Sequence, residues 1–119
     1  MAPPADALLD QNIIAELRDM PPSEGVSMLK ELVDLFLEGA AQRLTLITES
    51  LGDGPKLAFH AHALKSMSLN LGAKRIVELS GKLEELARAG DIKDAPALVK
   101  ELQTVFNQTK AHLLPLRNH

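Results

Sequence analysis

Four stretches of this chain repeat apolar residues at every third or fourth position, and that spacing confines it to a bundle of amphipathic helices. The longest runs through Leu29, Leu32, Val33, Phe36, Ala40, Leu44 and Ile47. The others run through Leu57, Ala61, Leu64, Ser68 and Leu71, through Ile76, Leu79, Leu83 and Leu86, and through Leu98, Leu102, Val105, Thr109 and Leu113. At about 100° per residue, residues so spaced share one side of an α-helix, which must be buried against other helices. No stretch alternates with period two for long, so no strands are predicted.

The breaks between these stretches carry recognisable helix ends. Ser23 or Ser27 can cap the longest helix, which ends near Gly52. Asp53-Gly54-Pro55 reads as a turn with proline in the first helical position. Gly72 and Gly90 suit left-handed helix ends, Asp94 can cap the last helix, and Pro115 stops it. Before all of these, Asp6 or Asp10 can cap one short helix bearing Leu9, Ile13, Ile14 and Leu17, ended by Met20-Pro21-Pro22. Residues 1–5 read as a disordered lead. The fold expected is all-α, an antiparallel four-helix bundle with an additional short N-terminal helix laid over one end.

At 119 residues the chain is read as one domain, 1–119, with a single core and no room for a separate catalytic lobe. Net charge is −3 with both signs mixed along the chain, which points away from nucleic acid and anionic membrane as partners. With no cysteine, disulfides, zinc-thiolate sites and thiol catalysis are excluded. No apolar run approaches the length of a bilayer and no signal-peptide pattern opens the chain, so a cytoplasmic location is expected. Three Phe and no Trp or Tyr leave an aliphatic core and no platform for stacking bases.

One residue on the second of these helices is not needed by the core. With Leu57 as zero, Leu57, Ala61, Leu64, Ser68 and Leu71 lie within about 40° of one direction, and His62 lies about 140° from it. Lys65, one turn on, leans to the same side, and Ala58, Phe59, Ser66 and Leu69 surround the two with small or apolar groups. An imidazole is thus presented on a surface, with a cation beside it and room for a partner. The second nearby histidine, His60, falls about 60° from the stripe and reads as an edge packing residue. Residues two apart on a helix point in different directions, so His60 and His62 cannot share a metal ion. His112 and His119 have no motif around them and read as surface or tail residues.

The run His62-Ala63-Leu64-Lys65-Ser66-Met67-Ser68-Leu69-Asn70-Leu71-Gly72 resembles the signature of histidine-containing phosphotransfer (HPt) domains, the intermediate carriers of phosphorelays. That signature has the phosphoacceptor His, Leu two later, Lys three later, small residues at four to six, and Gly ten later. Ser66 stands where many members have Gly, and Met67 where a small residue is common.

The resemblance implies the same bundle architecture and a specific chemistry. Nε2 of His62 would attack an aspartyl phosphate on a receiver domain, form phosphohistidine, and later pass the group to another receiver aspartate. A neutral imidazole is a competent nucleophile near neutral pH. Phosphoryl transfer depends on in-line positioning and on cations around the equatorial oxygens. Lys65 would supply one cation. Mg2+ and a further lysine would come from the receiver, so no cofactor is expected on this chain. Response-regulator receivers and a hybrid histidine kinase are the implied partners.

Around His62 the supporting roles divide between chemistry and packing. The Ser66 hydroxyl can bond the phosphoryl oxygens or simply keep the site small. Ser68 lies on the core stripe as a small packing residue, Asn70 is a weaker candidate, and Gly72 is read as a backbone requirement. Glu84 aligns with a family position near the phosphoacceptor, where a polar group could orient the ring. It also fits the solvated, alternating charges of its helix, with Lys74, Arg75, Glu78, Lys82, Glu85 and Arg88. Ala58, Phe59, Met67 and Leu69 form the candidate docking patch, part of it covered by Ile13, Ile14 and Leu17 of the N-terminal helix.

The leading reading is a monomeric phosphoryl carrier without its own kinase or ATP site, since nothing resembles a Gly-rich nucleotide loop. Two other readings compete with it: a bundle that binds receivers or a kinase without being phosphorylated, and a dimeric histidine-kinase-like phosphoacceptor bundle. Met1 and the lack of linker-like sequence at the ends favour a free-standing protein over a piece of a hybrid kinase.

Overall fold

The computed structural model describes residues 3–23 and 27–118. Among them are six α-helices, α1 (Ala5–Leu8), α2 (Gln11–Asp19), α3 (Met28–Glu49), α4 (Gly54–Leu71), α5 (Lys74–Arg88) and α6 (Ala95–Leu113), and a closing 3-10 turn, Leu114–Asn118, with no strand. The four long helices run antiparallel through short connections and close into a bundle. The apolar stripes are what they bury. Leu29, Val33, Phe36, Ala40, Leu44 and Ile47 of α3 join Leu57, Ala61, Leu64 and Leu71 of α4, Ile76, Leu79 and Leu83 of α5, and Leu102, Val105 and Leu113 of α6 in one cluster. Leu32 and Leu98 sit half-buried at its margin, and Leu86 is half-buried as well. Two hydroxyls within this core bond their own helices, Ser68 Oγ to Leu64 O and Thr109 Oγ1 to Val105 O, both at 2.7 Å, so neither is left unsatisfied.

Helix ends follow the sequence signals closely. Ser27 caps α3, its Oγ accepting from Lys30 N, and Asp53 caps α4 by accepting from Lys56 N at 3.1 Å. Gly72 ends α4 with φ of 78° and lies against Ile13, where an added Cβ would come within 3.1 Å of the isoleucine Cβ. The position therefore needs glycine twice over, for backbone conformation and for space. Gly54 allows α4 to begin close against the end of α5, since a Cβ there would come 3.0 Å from the Ala87 carbonyl oxygen. Asp94 occupies the cap position of α6 but its side chain makes no capping bond, a departure from the expectation.

The N-terminal region differs more. The expected single short helix is two, because Leu9 is extended (φ −123°, ψ 143°) and buried, and Asp10 starts α2 by accepting from Asn12 and Ile13 N–H. Asp10 N–H donates to Gly72 O at 2.7 Å, fastening this break to the α4–α5 turn. Helix α1 lies over α5 and α6, and α2 over α3, closing the end of the bundle where α3 begins. Residues 1 and 2 of the expected lead lie outside the described residues, as does His119. Ala5 is already helical, and the Pro3 carbonyl accepts from His112 Nε2 at 3.2 Å, so neither residues 3–5 nor His112 fit the disordered or free-surface readings. Near that end too, Arg117 of the 3-10 turn pairs with Asp34 of α3. The Arg117 bond lowers the Asp34 pKa, outweighing an opposing effect of burial, with Lys30 adding to it.

Candidate functional site

The site forms where the middle of α4 crosses the C-terminal half of α5. His62 projects from α4 with its side chain 54 % exposed, while the Glu84 side chain directly across is 8 % exposed. Nδ1 of His62 lies 3.1 Å from Glu84 Oε2. The same carboxylate takes an ion pair from Lys65 Nζ to Oε1 at 2.9 Å, and two hydrogen bonds to Oε2 from Arg88, Nε at 3.0 Å and Nη2 at 2.6 Å. One buried carboxylate thus collects an imidazole and two cations from both helices.

Electrostatics fix the protonation of the centre. Burial pushes Glu84 up, but the Lys65 ammonium and Arg88 guanidinium outweigh it, helped by His62, and hold the carboxyl at about 2. An ionised carboxylate can only accept, so the hydrogen in the His62–Glu84 bond belongs to Nδ1. In the neutral ring the lone pair then sits on Nε2, the nitrogen turned away from Glu84.

Glu84 is therefore not one of the solvated charges of α5: it is buried and bonds the His62 ring. Arg88 is the residue that sequence reasoning missed, having been placed among the solvated charges. Its signal was the i, i+4 spacing from Glu84, which had meaning only once Glu84 was known to face α4. Lys65 is 30 % exposed and engaged by Glu84, its Cδ lying along α5 where a Cβ on Gly81 would be 3.7 Å away. Ser66 is exposed on the His62 face, Asn70 is exposed nearer α3, Ser68 is buried, and Gly72 ends the helix.

The docking patch divides. Phe59 and Leu69 are 65 % and 54 % exposed and flank His62, uncovered by α2, whose Ile14 and Leu17 are buried in the core and whose Ile13 lies against Gly72. Met67 turns half-buried toward α3, against Gly39. Ala58 is buried, 7 % exposed, because it lies on the α5 side of α4, so it is not part of an open patch. His60, half-buried as expected, accepts at Nδ1 from Arg43 Nη1 at 2.9 Å. Arg43 also lies over the Phe59 ring, 5.7 Å from its centroid, so the two hold Phe59 between them. Among the described residues, no three His, Asp or Glu side chains form a metal-binding group, and no helix is long and apolar enough to cross a membrane.

Comparison with known proteins bears on the fold and the family. No curated protein matches the sequence. The crystal structure of histidine-containing phosphotransfer protein B (HptB) from Pseudomonas aeruginosa PAO1 is similar over 92 % of this chain and 94 % of that one, with a TM-score of 0.84 and 29 % identity. The family model of the Hpt domain matches residues 31–112, a span that holds His62, Lys65, Glu84 and Arg88 and most of the four-helix bundle. An exposed imidazole on a helical bundle, that match and that likeness together place the chain in the Hpt domain family, the histidine phosphotransfer modules of two-component phosphorelays.

Proposed function

We propose that His62 is the phosphoacceptor of a phosphorelay intermediate, taking the group from a receiver aspartyl phosphate and giving it to a second receiver aspartate. The observation that carries this reading is the bond from His62 Nδ1–H to buried Glu84 beneath a ring that is otherwise open to solvent. It leaves the Nε2 lone pair pointing outward. That pair attacks phosphorus in line, the N–P bond forms as the aspartyl O–P bond breaks, and the electrons of the broken bond return to the receiver carboxylate. The ring gains positive character as this happens, and Glu84 across the Nδ1 proton stabilises it. Forward transfer reverses these changes on the next receiver.

Lys65 and Arg88, both held at Glu84, stand ready to turn toward the phosphoryl oxygens as charge arrives on His62. Mg2+ is supplied by the receiver. Phe59 and Leu69 form the apolar docking contacts, with Met67 at the edge and Ser66 keeping the centre low. Residues 1–119 act as one Hpt-like unit, a cytoplasmic monomer that carries phosphoryl groups between a hybrid kinase and response regulators without a nucleotide site of its own.

The test is phosphoryl transfer from a panel of pre-phosphorylated receiver domains of the same organism, with and without His62→Gln. Acid-labile label on the chain, absent from the variant, is the expected result. Receivers that bind without any label reaching the chain would replace this reading with a phosphorylation-independent binding module.

A further inference from the structure

Below His62, toward the start of α4, lies a cleft of about 730 Å3 lined by Gly54, Pro55, Ala58, Phe59, Ala87, Arg88, Gly90 and Ile92. Its walls are the first turns of α4, the last turn of α5 and the loop beyond. It is mostly apolar, with Arg88 as the single charged side chain lining it. Three features join it to the site. Ala58 and Phe59 stand about one helical turn before His62, roughly 6 Å and 4.5 Å along the axis. Phe59 lies about 60° around α4 from His62, so cleft and imidazole open on the same side. Arg88 belongs to both, since it lines the cleft while bonding the carboxylate that holds the His62 ring.

We infer that this cleft is an anchor subsite for the phosphoryl-bearing partner, taking one apolar side chain that is followed by a carboxylate. The inference rests on the phosphorelay reading, which makes that partner a receiver domain. A partner bringing an aspartyl phosphate to Nε2 must lay the chain around that aspartate over the α4–α5 seam. Two concavities border Phe59; the other is lined also by Glu49, Asp53 and Lys56, whereas this one is apolar apart from the Arg88 that it shares with the His62 site, and Leu69 offers only a convex surface. Apolar contact with Pro55, Phe59 and Ile92 seats the anchor. Arg88, 65 % exposed on its outer side, meets the neighbouring carboxylate. Binding there draws on the same guanidinium that holds Glu84, so docking and the charge balance under His62 are linked.

The closing experiment uses the full chain, the receiver that transfers fastest in the panel, and phosphoramidate as a small phosphoryl donor that needs no docking. Pro55→Ser removes an exposed wall, and Ile92→Ser removes a wall that lies outside α4 and the convex face. Each is expected to raise KM for the phosphorylated receiver about tenfold with kcat nearly unchanged, the ordinary cost of losing one anchor contact. Labelling of His62 by phosphoramidate is expected to keep its rate. Unchanged KM in Ile92→Ser, or a loss confined to kcat, overturns the subsite. A fall in phosphoramidate labelling also overturns it, because the cleft would then act on His62 itself. Failure of every receiver with the unaltered chain is a different result, which removes the phosphorelay reading and the subsite together.

Discussion

Glu84 does three things with two oxygens: it orients the His62 ring, draws in Lys65, and ties down Arg88. Glutamine at this position keeps the shape but loses the charge, and its amide can donate as well as accept. Glu84→Gln is therefore expected to release the His62 tautomer, moving part of the population to the Nε2–H form, which nitrogen-detected NMR of the imidazole reads directly. Transfer onto His62 should slow by roughly tenfold, the equivalent of about 1.4 kcal/mol in the barrier. The same substitution tests the acid response. Glu84 titrates at about 2 in the fold, below its ordinary 4.5, so its contribution to stability is present above about 4.5 and is lost as pH falls toward 2. Denaturant midpoints measured across that window should fall more steeply for the unaltered chain than for Glu84→Gln. At this scale the sequence was half legible. His62 and Lys65 could be placed on one face of a helix from spacing alone. Glu84, 22 residues from His62, was offered only by the family resemblance, and Arg88, 26 residues away, reaches the site through Glu84, which the register of α5 on α4 brings to the ring.

Helix boundaries were legible wherever a single residue type has a single physical use. Asp53, Gly72 and Ser27 fall where capping and left-handed backbone require them. The two capping devices of α4 should nevertheless respond differently to alanine. Asp53→Ala removes one bond to an exposed N–H and is expected to cost about 1 kcal/mol. Gly72→Ala imposes a Cβ on a backbone at φ of 78° and against Ile13, and is expected to cost more, roughly 2 kcal/mol or above. Urea denaturation of the two variants ranks them. The break between α1 and α2 was not legible, because Leu9 and Ile13 keep helical spacing while Leu9 itself is extended. Burial of Leu9 in the core and the Asp10 bond to Gly72 O override the local pattern there. Asp94 teaches the converse, since a good capping residue type stands at the right position without using its side chain.

For the molecule as a whole, all four long helices of the bundle come from one chain and share one buried cluster. A bundle assembled from two chains needs a second copy to cover its apolar stripes, whereas here each stripe is already covered. Sedimentation equilibrium is expected to give the mass of one chain, 12.9 kDa, at micromolar concentration, and a mass of twice that would favour the dimeric kinase-like alternative. The architecture was readable from stripe lengths and breaks because short connections leave neighbouring helices no choice but to run antiparallel. What the stripes could not convey is how the two ends of the bundle differ.

Pro3 is tied to His112 and Arg117 to Asp34 at the end where α3 starts and α6 finishes, while the cleft beside Phe59 opens at the opposite end. A biotin or a fluorophore attached near Pro3 or Arg117 would therefore stand off from the cleft. Either attachment holds the molecule by the same end, so a sensor surface presents it in one orientation, with the cleft end facing the solution.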